Sequence, residues 1–283
     1  MRSNGETGVV PLRAMTAGET LDAAVALLRQ RALPLLPVAL VLAAGEQVLL
    51  SGLRAWAGMQ PPYYYVPPRI TDPGWWPVFG LGFAIEGFVI ALLAAYAGAA
   101  AGPALLGRDT GHLALWKRVR PVPAVLIAVL VGAVCGATAM AGLVLWPLAY
   151  GLTAMATAVL TVDRPANPLT AVGRSMGRAT RGGMRGVGVL ILGYLTWLVV
   201  RLALGSGWLA VADLFASVSG SAWLVWAVPV AWTLANTVAY AALACLNAVL
   251  LLEVRIRTEG LDIAVNRSRS RGVDPVRALE VTR

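Results

Sequence analysis

Between Pro121 and Val162 the chain runs for 42 residues without a charged side chain. As a single helix that stretch would measure about 63 Å, twice a hydrocarbon core of ~30 Å, so it has to fold back as a hairpin. The turn is expected between Gly142 and Pro147, because proline is best tolerated where a helix begins. A soluble core divided among short amphipathic elements has no need of so long an uncharged run. The composition agrees: 58% of the 283 residues are hydrophobic and 13% are charged, against about a quarter charged in a soluble domain. The expected fold class is all-α, a polytopic membrane helix bundle.

Apolar blocks at Ala32 to Leu53, Pro77 to Ala101 and Val187 to about Leu204 are each long enough to cross once, and Leu214 to Leu252 is uncharged for 39 residues. Charge decides the count. The net charge is +9, and 22 of the 23 basic residues are arginine, the exception being Lys117. With six crossings and the N-terminus inside, 20 of the 23 lie on the cytoplasmic side; a seventh crossing would export the seven arginines after residue 254 against the positive-inside bias. Six transmembrane helices are therefore expected, with both termini cytoplasmic in a plasma membrane. The sixth should cover roughly Val230 to Leu252, after an outer-face interfacial or re-entrant helix around Trp208 to Trp226. Residues 1–15 are expected to be a disordered cytoplasmic N-terminus, 16–258 the membrane domain and 259–283 a basic cytoplasmic tail. No signal-peptide core is expected in residues 1–31.

Each hairpin is preceded by a segment with the pattern of an amphipathic cytoplasmic helix, so the plan is a helix plus hairpin repeated three times. In the first, Thr16 and Glu19 fit a capping box, and Leu21, Ala24, Val25 and Leu28 share one face. The second, from about Asp109 to Arg120, carries Leu113, Trp116 and Val119 at three-residue steps. The third opens on Asn167 and Pro168 as cap and first turn. Its Leu169, Val172, Met176 and Ala179 share one side, while Arg174, Arg178, Arg181 and Arg185 recur on another. An arginine stripe of this kind is the solvated face of any juxtamembrane helix, or a set of contacts to anionic lipid headgroups, where each arginine contributes on the order of 1 kcal/mol.

Enzymatic chemistry has little to work with. There is one histidine, His112, and both cysteines, Cys135 and Cys245, lie inside apolar blocks. Neither a metal site, a disulfide framework nor a Ser-His-Asp relay is supported. There is no Walker loop or strand-linked dinucleotide fingerprint, and no catalytic residue or cofactor is expected. Gly98-x-x-x-Gly102 and Gly132-x-x-x-Gly136 have the small-residue spacing of close helix packing. The basic charge fits lipid better than nucleic acid, which is not expected as a partner. Charges inside the spans are more telling. Counting ~1.5 Å per residue places Glu46 and Arg201 about 21 Å from the inner boundary and Glu86 about 14 Å from the outer one. Because an unpaired charge at depth costs ~2.5–3.5 kcal/mol even on insertion scales, a shared interior cluster of Glu46, Glu86 and Arg201 is the economical arrangement. Such a cluster is either a static structural pair plus an acid reaching water, or the holder of an ion or substrate group. Polar stripes at Asn236, Tyr240 and Asn247, and at Tyr150, Thr153, Thr157 and Thr161, suit interhelical hydrogen bonds. The loop Gln60 to Trp76, with Tyr63, Tyr64, Tyr65, Trp75 and Trp76, reads as an interfacial aromatic belt or a partner-binding lid.

Segments 11–24 (PLRAMTAGETLDAA), 171–185 (AVGRSMGRATRGGMR) and 253–262 (EVRIRTEGLD) resemble bacterial proteins of the glycerophosphoryl diester phosphodiesterase membrane-domain-like family. Glu253 stands where such sequences often have aspartate. The resemblance spans nearly the whole chain and implies six or more spans in the plasma membrane, with no established activity for the domain. The soluble phosphodiesterase domain that the family name refers to uses paired histidines and metal-binding carboxylates, which one histidine cannot supply, so the chain resembles the membrane part alone. The dominance of Arg, Ala, Gly and Val over Lys and Ile suggests a high-GC bacterial source. The leading functional expectation is a non-catalytic protein that organises membrane lipid or a protein partner complex. The alternative is a small transporter or lipid-translocating permease using Glu46, Glu86 and Arg201, which a water-accessible cavity reaching those side chains would favour.

Overall fold

The computed structural model describes residues 10–59, 74–108, 110–215 and 221–279, and among them every regular element is helical. Five helices are long and apolar enough to cross a membrane: α2 (Ala32–Trp56), α3 (Trp75–Leu105), α5 (Pro121–Met140), the helix that starts as α9 (Arg185–Leu202), and α11 (Leu224–Glu259). The uncharged run of 42 residues is indeed a hairpin. Its first arm is α5, its turn passes through Gly142 and Leu143 at positive φ, and its second arm begins at Trp146 and Pro147. That arm is shorter, an apolar stretch Trp146–Val162 broken into α6 (Trp146–Thr153) and α7 (Ala156–Val162). At the break the Thr153 hydroxyl donates back to the Ala149 carbonyl at 2.8 Å, a contact that bends helices.

α11 is the axle of the bundle. Every residue from Ala239 to Ile256 is buried, as expected of a helix apolar all round, and α1, α2, α3 and α9 pack around it. The outer helices divide differently. α2 buries one stripe, Leu35, Ala39, Ala43, Glu46, Gln47, Leu50 and Arg54, and turns Leu33, Val41, Val48 and Leu49 outward. Polar residues inside and large aliphatics outside are the pattern of a protein solvated by lipid, where exposed apolar surface is not penalised.

Glycine lets α5 lie close against α3. A Cβ at Gly132 would lie 2.5 Å from the Ala84 carbonyl oxygen, and one at Gly136 would lie 2.8 Å from that of Gly80. α5 therefore seats its small-residue face on α3, as that spacing predicts. Gly98 does the same against Ala158 of α7, whereas Gly102 instead receives the side chain of Leu279.

Several expectations need correction. Where an interfacial or re-entrant helix is expected around Trp208 to Trp226, the helix from Arg185 instead passes through a π turn at Ala203–Gly207 into α10 (Trp208–Asp213) and continues to Phe215, residues 216–220 lying outside those described. α11, from Leu224 to Glu259, contains the stretch Val230 to Leu252 expected as the last crossing and extends beyond it at both ends. In the wide π turn Gly205 lets the Trp232 ring approach the backbone; the sequence pattern carried no sign of such a turn. α1 (Ala17–Gln30) has the expected capping box, Thr16 and Glu19 each bonded to the other's backbone N–H, but buries Leu27 and Ala23 beside Ala24 and Leu28. α4 (His112–Arg118) buries Leu115, while Leu113 is 80% exposed. α8 (Leu169–Thr180) turns Ala171, Ser175, Arg178 and Ala179 inward and leaves Leu169 and Met176 exposed. The apolar sides expected of these two helices therefore stay largely outward, Ala179 being the member of them that is buried.

At the ends, Val10 and Met15 are buried ahead of the Thr16 cap; residues 1–9 lie outside those described. Beyond Glu259 the chain forms α12 (Leu261–Ser270) and a 3-10 turn at Pro275–Ala278. The Leu279 carbonyl accepts a bond from Arg255 at 2.7 Å. Of the aromatic loop, Tyr63, Tyr64 and Tyr65 lie outside the described residues. Trp75 is buried, stacked on Phe79 and edge-on to Trp76.

Candidate functional site

α2, α3, α9 and α11 bring Glu46, Glu86 and Arg201 together in one buried cluster. Arg201 holds Glu86 in a two-pronged pair, Nη1 to Oε1 at 2.5 Å and Nη2 to Oε2 at 3.0 Å. Its Nε donates to Asn236 Oδ1 at 2.9 Å, and the guanidinium lies 5.0 Å from the centre of the Tyr240 ring. Asn236 then passes the connection on, its Nδ2 donating to Glu46 Oε2 at 3.2 Å. The Tyr240 hydroxyl lies 2.9 and 3.0 Å from the two oxygens of Glu46. Arg201, Asn236 and Tyr240 thus link Glu86 to Glu46 through hydrogen bonds in a setting where each is worth more than in water. Asn236 and Tyr240, one turn apart on α11, make the interhelical hydrogen bonds expected of that polar stripe, and in doing so they bridge the two acids. Asn247, two turns further along, takes no part. Of the threonine stripe, only Thr157 crosses to another helix, donating to the Ala91 carbonyl at 2.5 Å.

The cluster forms the floor of a cavity of about 370 Å³ at the end of the bundle away from the arginine-rich α8. Trp75, Phe79, Phe83, Trp146, Leu198 and Leu202 supply apolar walls, and Arg54 lies on the same lining with its Nη1 bonded to Gln47 Oε1 at 2.9 Å. Volume, apolar walls and a few convergent polar groups are the attributes of a small-molecule site. Arg54 and Gln47 were not singled out by sequence. Their signal was present in the spacing, since Glu46, Leu50 and Arg54 follow at four-residue steps and so share a helix face.

The opposite end is built from ion pairs. Asp163, fully buried, accepts from Arg178 at 2.6 Å and Arg174 at 3.3 Å, and Arg255 Nη1 lies 3.3 Å from its other oxygen. Glu259 takes Arg178, Arg181 and Arg255 at 2.9, 2.8 and 3.1 Å. Glu253, also fully buried, accepts from Arg257 at 2.8 Å and lies 3.5 Å from Arg185 Nη2, which donates as well to the Met15 carbonyl. The four arginines of the stripe therefore part company. The Arg178 side chain is 5% exposed and turned inward, Arg181 is about half exposed, and Arg174 and Arg185 lie between. Burial opposes the Arg178 charge, but Glu259 and Asp163 outweigh it and hold its pKa above the ordinary value. Among the described residues no group of three or more His, Cys, Asp or Glu could hold a metal ion.

Fold and cluster define the class: an all-helical protein with the build of a membrane bundle and a buried acid–arginine network beneath a cavity. Compared with known proteins, the chain matches no family model, no curated protein and no solved structure.

Proposed function

We propose that the chain is a small permease for an amphiphile, with the Glu86–Arg201–Glu46 cluster as the polar end of its binding site. In this reading it crosses a bacterial plasma membrane six times, α6 and α7 together making the fourth crossing, and α1, α4 and α8 open three successive helix-plus-hairpin units with both termini cytoplasmic. It stands as a divergent relative of the membrane-domain-like family named above. The work is binding and passage rather than bond making. The observation that carries the reading is the 370 Å³ cavity reaching all three charged side chains. An ion pair serving packing alone has no use for an open chamber above it, whereas a molecule with an apolar body and a polar head fits walls of Trp and Phe over a charged floor.

The test is lipid exchange between leaflets. Purified protein in vesicles of phosphatidylethanolamine and phosphatidylglycerol, doped with a fluorescent phospholipid, should speed exchange at least tenfold over protein-free vesicles. Leu198→Trp, which fills the chamber, should return the rate to background. Equal rates with and without wild-type protein would overturn the reading. The other function, organising anionic lipid or a protein partner at the cytoplasmic face, draws support from a shallow groove of about 680 Å³ along Thr170, Gly173, Arg174, Gly177, Arg178 and Arg181, although Glu259 also lines it and pairs with two of these arginines. There an arginine-edged glycine shelf adjoins the exposed Leu169 and Met176.

A further inference from the structure

A second hollow meets the first at Glu46. On the outer flank of the bundle, α2, α3 and α5 leave a groove of about 430 Å³ lined by Val41, Leu49, Ile85, Phe88 and Val129, all apolar. Among the described residues along it Glu46 is the only charged one, and the same side chain lines the end cavity. Glycine lines both hollows. Gly45 faces the groove with no atom within 4 Å of where a Cβ would stand, and Gly82 lines the cavity, with only Leu50 Cδ1 near its Cβ position, at 3.9 Å. Glu46 also has capacity to spare. Its two carboxyl oxygens carry about four lone pairs, and the donors that reach them are the Tyr240 hydroxyl and Asn236 Nδ2.

We propose that this groove is the lateral access of a membrane lipid, with one acyl chain lying between α2, α3 and α5 and an N–H- or O–H-bearing headgroup donating to Glu46. This deepens the permease reading, on which it rests for the onward passage of the lipid, and names its substrate class. Position and chemistry select the occupant. The groove opens among outward-facing aliphatics, where the surrounding phase is hydrocarbon, so an acyl chain is the molecule at hand. Among the described residues, the one charged side chain on its lining is a carboxyl whose oxygens already accept from Tyr240 and Asn236, which selects a headgroup with donors.

The full-length protein in the same vesicles, carrying a phospholipid with a photoreactive group midway along one acyl chain, provides the test. Adducts should concentrate on residues 41–49 and 85–89, at least fivefold above residues 122–126, a stretch of α5 whose Val122, Val125 and Leu126 face outward and line neither hollow. An ethanolamine-headed probe should exceed a choline-headed one, which has no N–H donor, at least threefold, and Glu46→Gln should reduce that preference. Gly45→Leu projects into open space and suits a helix, so the protein should fold while groove adducts and lipid exchange each fall at least fivefold. Even labelling of all lipid-facing segments, or adducts unmoved by Gly45→Leu, would overturn the groove. Equal labelling by the two headgroups would overturn the donor requirement. If Leu198→Trp stops exchange and Gly45→Leu does not, the lateral route fails and the permease stands. If groove adducts appear without any exchange, the lipid site stands and the permease fails.

Discussion

A buried ion pair is held less by its own attraction than by the cost of breaking it. Removing one partner leaves the other charge uncompensated, at ~3–5 kcal/mol, whereas replacing both with apolar groups is often neutral. Glu86→Leu, which leaves Arg201 without its carboxylate, should therefore lower stability in micelles by about that amount, and Glu86→Leu with Arg201→Met should recover most of it. Unfolding by denaturant, followed by tryptophan fluorescence, checks both; a double variant no better than the single would contradict it. Glu19 gives a residue-scale test outside the spans. Hydrogen bonds from Arg13 and from Thr16 bring its pKa down from 4.5 to about 2. A carboxyl with a depressed folded pKa contributes stability above its unfolded value and loses it as pH falls through the folded one. The stability gap between wild type and Glu19→Ala should hold steady above pH ~5, shrink below it and vanish near pH 2, read as the difference in thermal midpoint.

Among the elements, contacts between helices rest on where side chains are missing. Gly132→Ile would drive a branched side chain into the Ala84 carbonyl and Phe88 and should cost ~1–3 kcal/mol by overpacking. Gly45→Leu, on a face with nothing to meet, should leave the thermal midpoint unchanged. Equal losses from the two would show that glycine matters here for the backbone rather than for the α3–α5 approach. The spacing of Gly132 and Gly136 made this contact legible beforehand. The buried faces of α4 and α8 were not legible in the same way. Hydrophobic periodicity locates an apolar face, but in a membrane that face can point to lipid, so the rule that assigns it inward loses its sign. Leu113, Leu169 and Met176 are exposed, and Arg178 is inside because Asp163 and Glu259 are there to receive it.

For the molecule as a whole, orientation is open to a direct check. Cys135 and Cys245 are buried, so single cysteines introduced elsewhere report cleanly. A membrane-impermeant maleimide should label Ala222→Cys in intact cells and Ser270→Cys only after permeabilisation. Both positions are exposed, Ala222 just before the start of α11 and Ser270 at the end of α12, beyond its other end. Labelling of Ser270→Cys from outside would reverse the topology and place the cavity on the cytoplasmic side.

Length and charge alone led to the all-helical class, the hairpin between Pro121 and Val162 and the expectation that Glu46, Glu86 and Arg201 meet, because a bilayer fixes both how long an apolar run must be and how costly a charge within it is. Which helices come together was decided only in three dimensions. The Asn236–Tyr240 bridge, the π turn behind Arg201, the inward arginine of α8 and the two hollows meeting at Glu46 depend on the rotation of each helix about its axis. Rotation is set by the shapes and partners of neighbouring helices, which no single segment contains.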